Sequence, residues 1–318
     1  MVSRSTRPSE AEWLDYFQTL SNWGRWGDDD TRGTLNLITE ERVRKAASLV
    51  REGITVSCAR EVDFTDSPKE DPRRALHFMS NTGSNAAAHG GGGAVDWAIL
   101  PLHGLTITHL DAHAHMFWDA KMYNGQDARM VTAEQGARRG SLAPAADGII
   151  GRGVLLDIAA LHGVPWLEEG HEISAAELDD AARRQGVQLE PGDILMVRTG
   201  YGARRRTDLL TGDGGGPGDE RPELPGLGAG SLPWMRAHDV AVVGTDTGTE
   251  ARPSHYSWLA PFHAVAMVAM GMWVVDNYDL ERLAQTCERL GRYEFMATIA
   301  TIRLKNSTGS PVNPLAVF

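Results

Sequence analysis

What most constrains the fold is an alternation of short apolar runs with capped helices through the middle of the chain. Gly153-Val-Leu-Leu-Asp-Ile158 reads as a buried strand. Ser174-Ala-Ala-Glu177 is a capping box, in which serine and glutamate each satisfy a backbone amide of the first helical turn. The helix it opens is expected to end near Gly186. Pro191-Gly-Asp193 turns the chain into a further strand that closes at Thr199-Gly200. Ser231 can cap a short helix through His238, and Val240-Ala-Val-Val-Gly-Thr-Asp246 is another buried strand. This alternation agrees with a mixed α/β class but does not choose a topology.

The rest of the chain is read against that centre. Residues 9–21 form an amphipathic helix, with Trp13, Leu14, Phe17 and Leu20 at spacings of three and four. A loop rich in aromatic and acidic residues follows, from Asn22 through Trp23 and Trp26 to Asp30. Thr39 is a fair N-cap for a helix carrying Val43, Ala46, Ala47 and Val50, stopped at Gly53. Ile54–Cys58 is a strand, and residues 64–76 are a polar loop. Val95–Leu102 is apolar and leads into a histidine-rich stretch. Residues 211–230, rich in Gly and Pro, are expected as a long loop. One domain over 1–318, with 1–35 as an arm packed on it, is the simplest account.

Bulk properties remove several function classes. The 318 residues carry a net charge of -11, so the basic face of a nucleic-acid binder is not expected. Arg204-Arg205-Arg206 is the only basic run, and a solvated loop explains it. Two cysteines, Cys58 and Cys287, do not suggest a disulfide framework. The start lacks the apolar segment of a signal peptide, and no run approaches a membrane span. A cytoplasmic enzyme with no membrane partner is the expectation. His89-Gly-Gly-Gly-Gly93 could build an oxyanion loop, but no Gly-x-Ser-x-Gly elbow accompanies it. The glycines are expected as a mobile loop, a lid beside the site. Gly151-x-Gly153 precedes its strand instead of following it, so a dinucleotide fold is rejected.

The chemistry is concentrated in residues 103–125. Of eleven histidines, His103, His109, His113 and His115 fall within thirteen positions. His109, Asp111, His113 and His115 are spaced by two, so a continuous strand would aim all four at one spot. Imidazole nitrogen and carboxylate oxygen are the donors that zinc, manganese or iron(II) take, and burying four such groups without a cation would be costly.

Thr108-His109-Leu110-Asp111, with His115 four residues after the aspartate, resembles the second half of a His-x-Gly-Thr-His-x-Asp-x-Pro-x-His motif. That motif belongs to the cyclase family of metal-dependent hydrolases, which includes kynurenine formamidase and isatin hydrolase. Lys121-Met-Tyr123-Asn-Gly resembles the longer branch of the family. Gly192-Asp193 through Arg198-Thr199-Gly200 is similar to a second family segment, and Pro261-Phe262-His263 with Val274-Val275-Asp276-Asn277 to a third. The resemblance implies a β/α/β barrel-like fold, a homo-oligomer (dimer or higher) and a divalent ion, zinc or manganese. It implies His109, Asp111, His263 and Asp276 as metal-site residues and His115 as the catalytic acid/base.

The chain departs from the motif at three positions. Leu105 stands where the first motif histidine is expected, Ile107 at the glycine and His113 at the proline. His113, His103 or a water is the candidate to replace the missing ligand, with weaker metal binding as the alternative, and either histidine is a candidate substrate contact. Trp118, Tyr123 and Trp26 are expected to wall a pocket for a flat substrate. The implied reaction is hydrolysis of an amide or ester in a small cyclic or aryl-attached molecule: an N-formyl anilide, a lactam or a lactone. Two rivals are a metal-dependent lyase, dehydratase or isomerase, and a non-catalytic binding relative.

Overall fold

The computed structural model describes residues 7–62, 64, 75–204 and 223–318. Among these, nine strands form one mixed sheet: β1 (Thr55–Ser57), β2 (His109–Asp111), β3 (Ile149–Asp157), β4 (Ile194–Arg198), β5 (Val242–Thr245), β6 (Trp273–Asp276), β7 (Glu294–Ile299), β8 (Gly309–Pro311) and β9 (Leu315–Val317). Their spatial order is β1-β9-β7-β3-β4-β5-β6-β2-β8. The central four, β3 to β6, are parallel, and antiparallel strands flank them on both sides.

The parallel centre explains the uninterrupted apolar runs. Alternate side chains of one strand enter two different cores: Leu195 and Val197 of β4 one, Ile194 and Met196 the other. A strand covered on both faces has no solvent side to mark with polar residues. The strand ends are tied by polar groups. Asp246, just past β5, accepts from Thr199 N and Oγ1, both at 2.7 Å, and from Gly200 N at 2.8 Å. Arg198 pairs with Asp157 and Glu281, 3.0 and 2.9 Å away.

The helices follow the cap signals. Glu10–Thr19 starts at a Ser9–Glu12 capping box, Glu40–Ala47 at Thr39, and Ala175–Gln185 at the Ser174–Glu177 box, ending at Gly186 with φ 67°. Ser231 does not cap the helix Leu232–Ala237; its hydroxyl bonds back to the Gly228 carbonyl instead.

The N-terminal segment is fixed to the elements that carry the site. Trp13 is fully buried and its Nε1 donates to the Pro261 carbonyl at 3.1 Å. Beyond Pro261 the chain passes through His263 into a π-helix, Ala264–Ala269. Such a helix leaves its last carbonyls without helical donors. Trp23 Nε1 reaches Val268 O at 2.6 Å and Asn22 Nδ2 reaches Met270 O at 2.8 Å.

Two expectations are corrected. Val95–Leu102 does not lead directly into the histidine strand, because residues 100–108 separate Val95–Ile99 from β2. Val95–Ile99 pairs with Leu76–Asn81 in a hairpin whose residues are all exposed, including Phe78 and Trp97. The region 211–230 is not loop throughout, because Gly226–Leu227 pairs with Glu172–Ile173; residues 211–222 lie outside the described part, as does most of 64–76.

Candidate metal centre

Strand β2 is three residues long, and its period of two places His109 and Asp111 on one face while Leu110 enters the core. β6 lies antiparallel to it with Asp276 opposite His109, so the register brings a second carboxylate beside the first. On the other side β8 sets Gly309 opposite Asp111. A Cβ at Gly309 would come within 2.8 Å of His103 Cε1, so the glycine leaves room for that imidazole. His103 Nδ1 lies 2.8 Å from Asp111 Oδ1, and its Nε2 lies 2.9 Å from Thr308 Oγ1.

His263 arrives from the short helix Pro261–His263. Its Nε2 lies 3.7 Å from Asp111 Oδ2 and 3.6 Å from Asp276 Oδ1. His109 Nε2 is 3.5 Å from Asp111 Oδ1 and 3.9 Å from Asp276 Oδ2. These gaps are too long for hydrogen bonds. They are close to the roughly 3.4 Å between donors arranged tetrahedrally at about 2.1 Å from one ion. Asp111 Oδ2 and Asp276 Oδ1 are buried without a hydrogen-bond partner, an arrangement that costs free energy unless a cation faces them. His109 Nδ1 donates to Ile107 O at 2.8 Å, which leaves the Nε2 lone pair facing the carboxylates. Donor set, tautomer and unpaired oxygens all suit a divalent ion.

Charge is finely divided in the cluster. Burial opposes ionisation of Asp111, yet the imidazoles of His115, His109 and His103 hold it below the usual carboxylate range. Burial likewise opposes a charge on His263, but Glu250 and Asp276 pull it well above the ordinary histidine value. Asp276 is lowered against burial by that same His263.

His115 sits at the rim. Its ring stacks on His103, centroids 3.7 Å apart, and Nε2 is 4.0 Å from Asp111 Oδ2. Burial pushes it down to about 4, against the pull of Asp111, so it is neutral at neutral pH. Its side chain keeps 28% of its surface exposed, enough to meet solvent or substrate.

His113 does not join this face. The strand ends at Asp111, and residues 113–115 form a 3-10 turn that swings His113 the other way. Its Nε2 bonds to Gly271 O at 3.0 Å and its ring lies between Tyr123 and Trp273. Tyr123 is only 2% exposed and its hydroxyl donates to Asp30, so it packs the interior and does not wall an open pocket. Trp118 stacks on Phe17 at 4.6 Å and meets the exposed Trp258 edge-on. Trp26 carries Arg25 over its ring at 4.7 Å. A cavity of about 310 Å³, lined by Arg60, Ile107, Thr108 and Val312 among others, includes no member of the cluster.

One residue escapes the motif reading, and a second, Asn277, stands within a family segment without a role. Glu250 is 1% exposed and accepts from Phe262 N at 3.0 Å and His263 N at 3.3 Å. Its other oxygen is 3.3 Å from His263 Nδ1. An acid shortly after a buried parallel strand was the available signal. Asn277, at φ 61°, donates to Gly104 O and Ile107 O and so pins the loop that carries His103.

The family pattern described as cyclase matches residues 53–250, more than half of the chain. The chain belongs to the cyclase family. A crystal structure described as a novel cyclase is 32% identical, with a TM-score of 0.83 over 95% of this chain and 99% of that one. Isatin hydrolase A from Labrenzia aggregata, bound to benzyl benzoate, is 20% identical with a TM-score of 0.58, over 85% and 94% of the two chains. Isatin hydrolase A from Ralstonia solanacearum is 16% identical with a TM-score of 0.56, over 86% and 93%. The isatin hydrolases share the fold. No curated protein matches the chain.

Proposed function

We propose that this cyclase-family protein is a metal-dependent hydrolase acting on an amide or ester bond of a small cyclic or aryl-attached substrate. The observation that carries the reading is the buried His109–Asp111–His263–Asp276 cluster with two unpaired carboxylate oxygens and a neutral His115 beside it. These four residues would hold zinc or manganese, and His103 either adds a donor or orients Asp111 through the 2.8 Å contact. When bound, such an ion supplies Lewis acidity and makes hydroxide accessible near neutral pH.

The chain's own residues supply the proton handling. His115 accepts the proton of the attacking water and returns it to the departing nitrogen or oxygen, a role worth roughly 100- to 10,000-fold in rate. His109 is kept in the required tautomer by Ile107 O. Among the described residues no helix is long and apolar enough to cross a membrane. We further propose a homo-oligomer in the cytoplasm, which sedimentation and fractionation would check.

N-formyl anilides, isatin-type lactams and lactones are the first substrates to offer. Ring-opened lactam or lactone products heavier by one water, or formate and free amine from the anilide, formed by the wild type and lost in His115→Ala, support the reading. Turnover in which the summed products gain no water would favour a lyase or isomerase. Stoichiometric metal with no turnover across all three classes would favour a binding protein.

A further inference from the structure

A second group of metal-type donors lies apart from β2. His162 ends the helix Ile158–His162, which closes at Gly163 with φ 70°. His171 follows the Gly170 turn and enters Glu172–Ile173, where its carbonyl accepts from Gly226 N at 3.0 Å. Glu177 stands in the first turn of Ala175–Gln185. Three separately anchored segments therefore meet at one point. Both imidazoles present Nε2 to the same oxygen, Glu177 Oε1, each at 2.7 Å.

The carboxylate is held rigidly. Its other oxygen, Oε2, accepts from Ser174 N at 2.9 Å and Ser174 Oγ at 2.8 Å. Against the cost of burial, the bonds from His171, Ser174 and His162 keep Glu177 ionised down to about 2. An ionised carboxylate only accepts, so both histidines carry their proton on Nε2 in these contacts. The imidazoles are 30% and 29% exposed while Glu177 is 8% exposed, so the cluster has a buried floor and an open side.

We propose that His162, His171 and Glu177 form a second divalent-metal site, of the two-histidine, one-carboxylate kind that takes zinc. An ion wants its donors about 2.0–2.2 Å away and therefore roughly 3.4 Å from each other. Small rotations of the two part-exposed imidazoles open the 2.7 Å contacts to that spacing, with water completing the shell on the open side. Each neutral ring then carries its proton on Nδ1 instead of Nε2, so binding needs no net proton loss from the histidines. The site is independent of the hydrolase reading.

The test is equilibrium dialysis of the full chain against zinc chloride at micromolar concentration, followed by elemental analysis. It compares wild type, His171→Gln, His162→Gln, Asp111→Asn and the Asp111→Asn/His171→Gln double variant. Glutamine keeps an N–H for Glu177, so the fold is retained, and either histidine variant serves if the other misfolds. We expect each histidine variant to bind one zinc fewer than its parent, in both the wild-type and the Asp111→Asn backgrounds. That difference holds even if the β2 cluster takes no metal. Equal zinc content in parent and both histidine variants would overturn the proposal.

Discussion

Replacing Glu250 by glutamine separates the orientation of His263 from its burial. As a carboxylate, Glu250 can only accept, so its charge 3.3 Å from His263 Nδ1 favours a proton there and leaves the Nε2 lone pair for the side of Asp111 and Asp276. Glutamine retains an oxygen for the Phe262 and His263 amides. Its NH₂ then faces Nδ1, favours the other tautomer and turns an N–H towards the proposed ion. Loss of such a supporting partner typically costs 10- to 100-fold in metal affinity, about 1.4–2.7 kcal/mol. Stability should change by only about 1 kcal/mol, since the backbone amides stay satisfied. Glu250→Ala should cost about 3 kcal/mol or more, because it strands two buried N–H groups. Zinc competition with a chelator gives the affinity and urea unfolding the stability. Wild-type zinc affinity in Glu250→Gln would refute the tautomer argument.

Two further substitutions probe the packing around the site, and a third a buried carboxyl at the opposite end of the sheet. His113→Ala should lower stability by about 2–4 kcal/mol, from the cavity between Tyr123 and Trp273, and leave metal content unchanged; metal loss in a folded variant would contradict its assignment to the interior. Gly309→Val should displace His103 from Asp111 and weaken metal binding several-fold, read by the same chelator competition. Asp193 gives a pH test. Burial raises its carboxyl from 3.8 to about 6, against the pull of Arg152, so the folded state holds this proton more tightly than the unfolded chain. Its contribution is present below pH 3.8 and is lost as pH rises through about 6, a change of about 3 kcal/mol. Urea midpoints for wild type and Asp193→Asn should diverge over that window, with the wild type losing the more; parallel curves would contradict the shift.

What was legible in the sequence was local. The capping box at Ser174–Glu177, the apolar runs of β3 and β5 and the shared face of His109 and Asp111 all depend on spacings of two to four residues. His113 was misread because period two holds only while the strand lasts, and this one ends at Asp111. Counting along the motif marked Leu105 as a missing ligand. The place beside Asp111 is taken by His103, and the glycine that admits it lies about two hundred residues on, at Gly309. Asp276 and Glu250 likewise reach the cluster through sheet register and a helix start, which no local pattern encodes. Val95–Ile99, though apolar, pairs with Leu76–Asn81 away from the core, a placement its own sequence does not encode.

The most direct test of the central claim is elemental analysis of the purified protein beside His109→Ala and Asp111→Ala. The account predicts zinc or manganese in the wild type at the β2 cluster, with one equivalent lost in each variant while His113→Ala keeps it. A wild type that takes up neither metal on reconstitution, or variants that retain the full wild-type content, would contradict it.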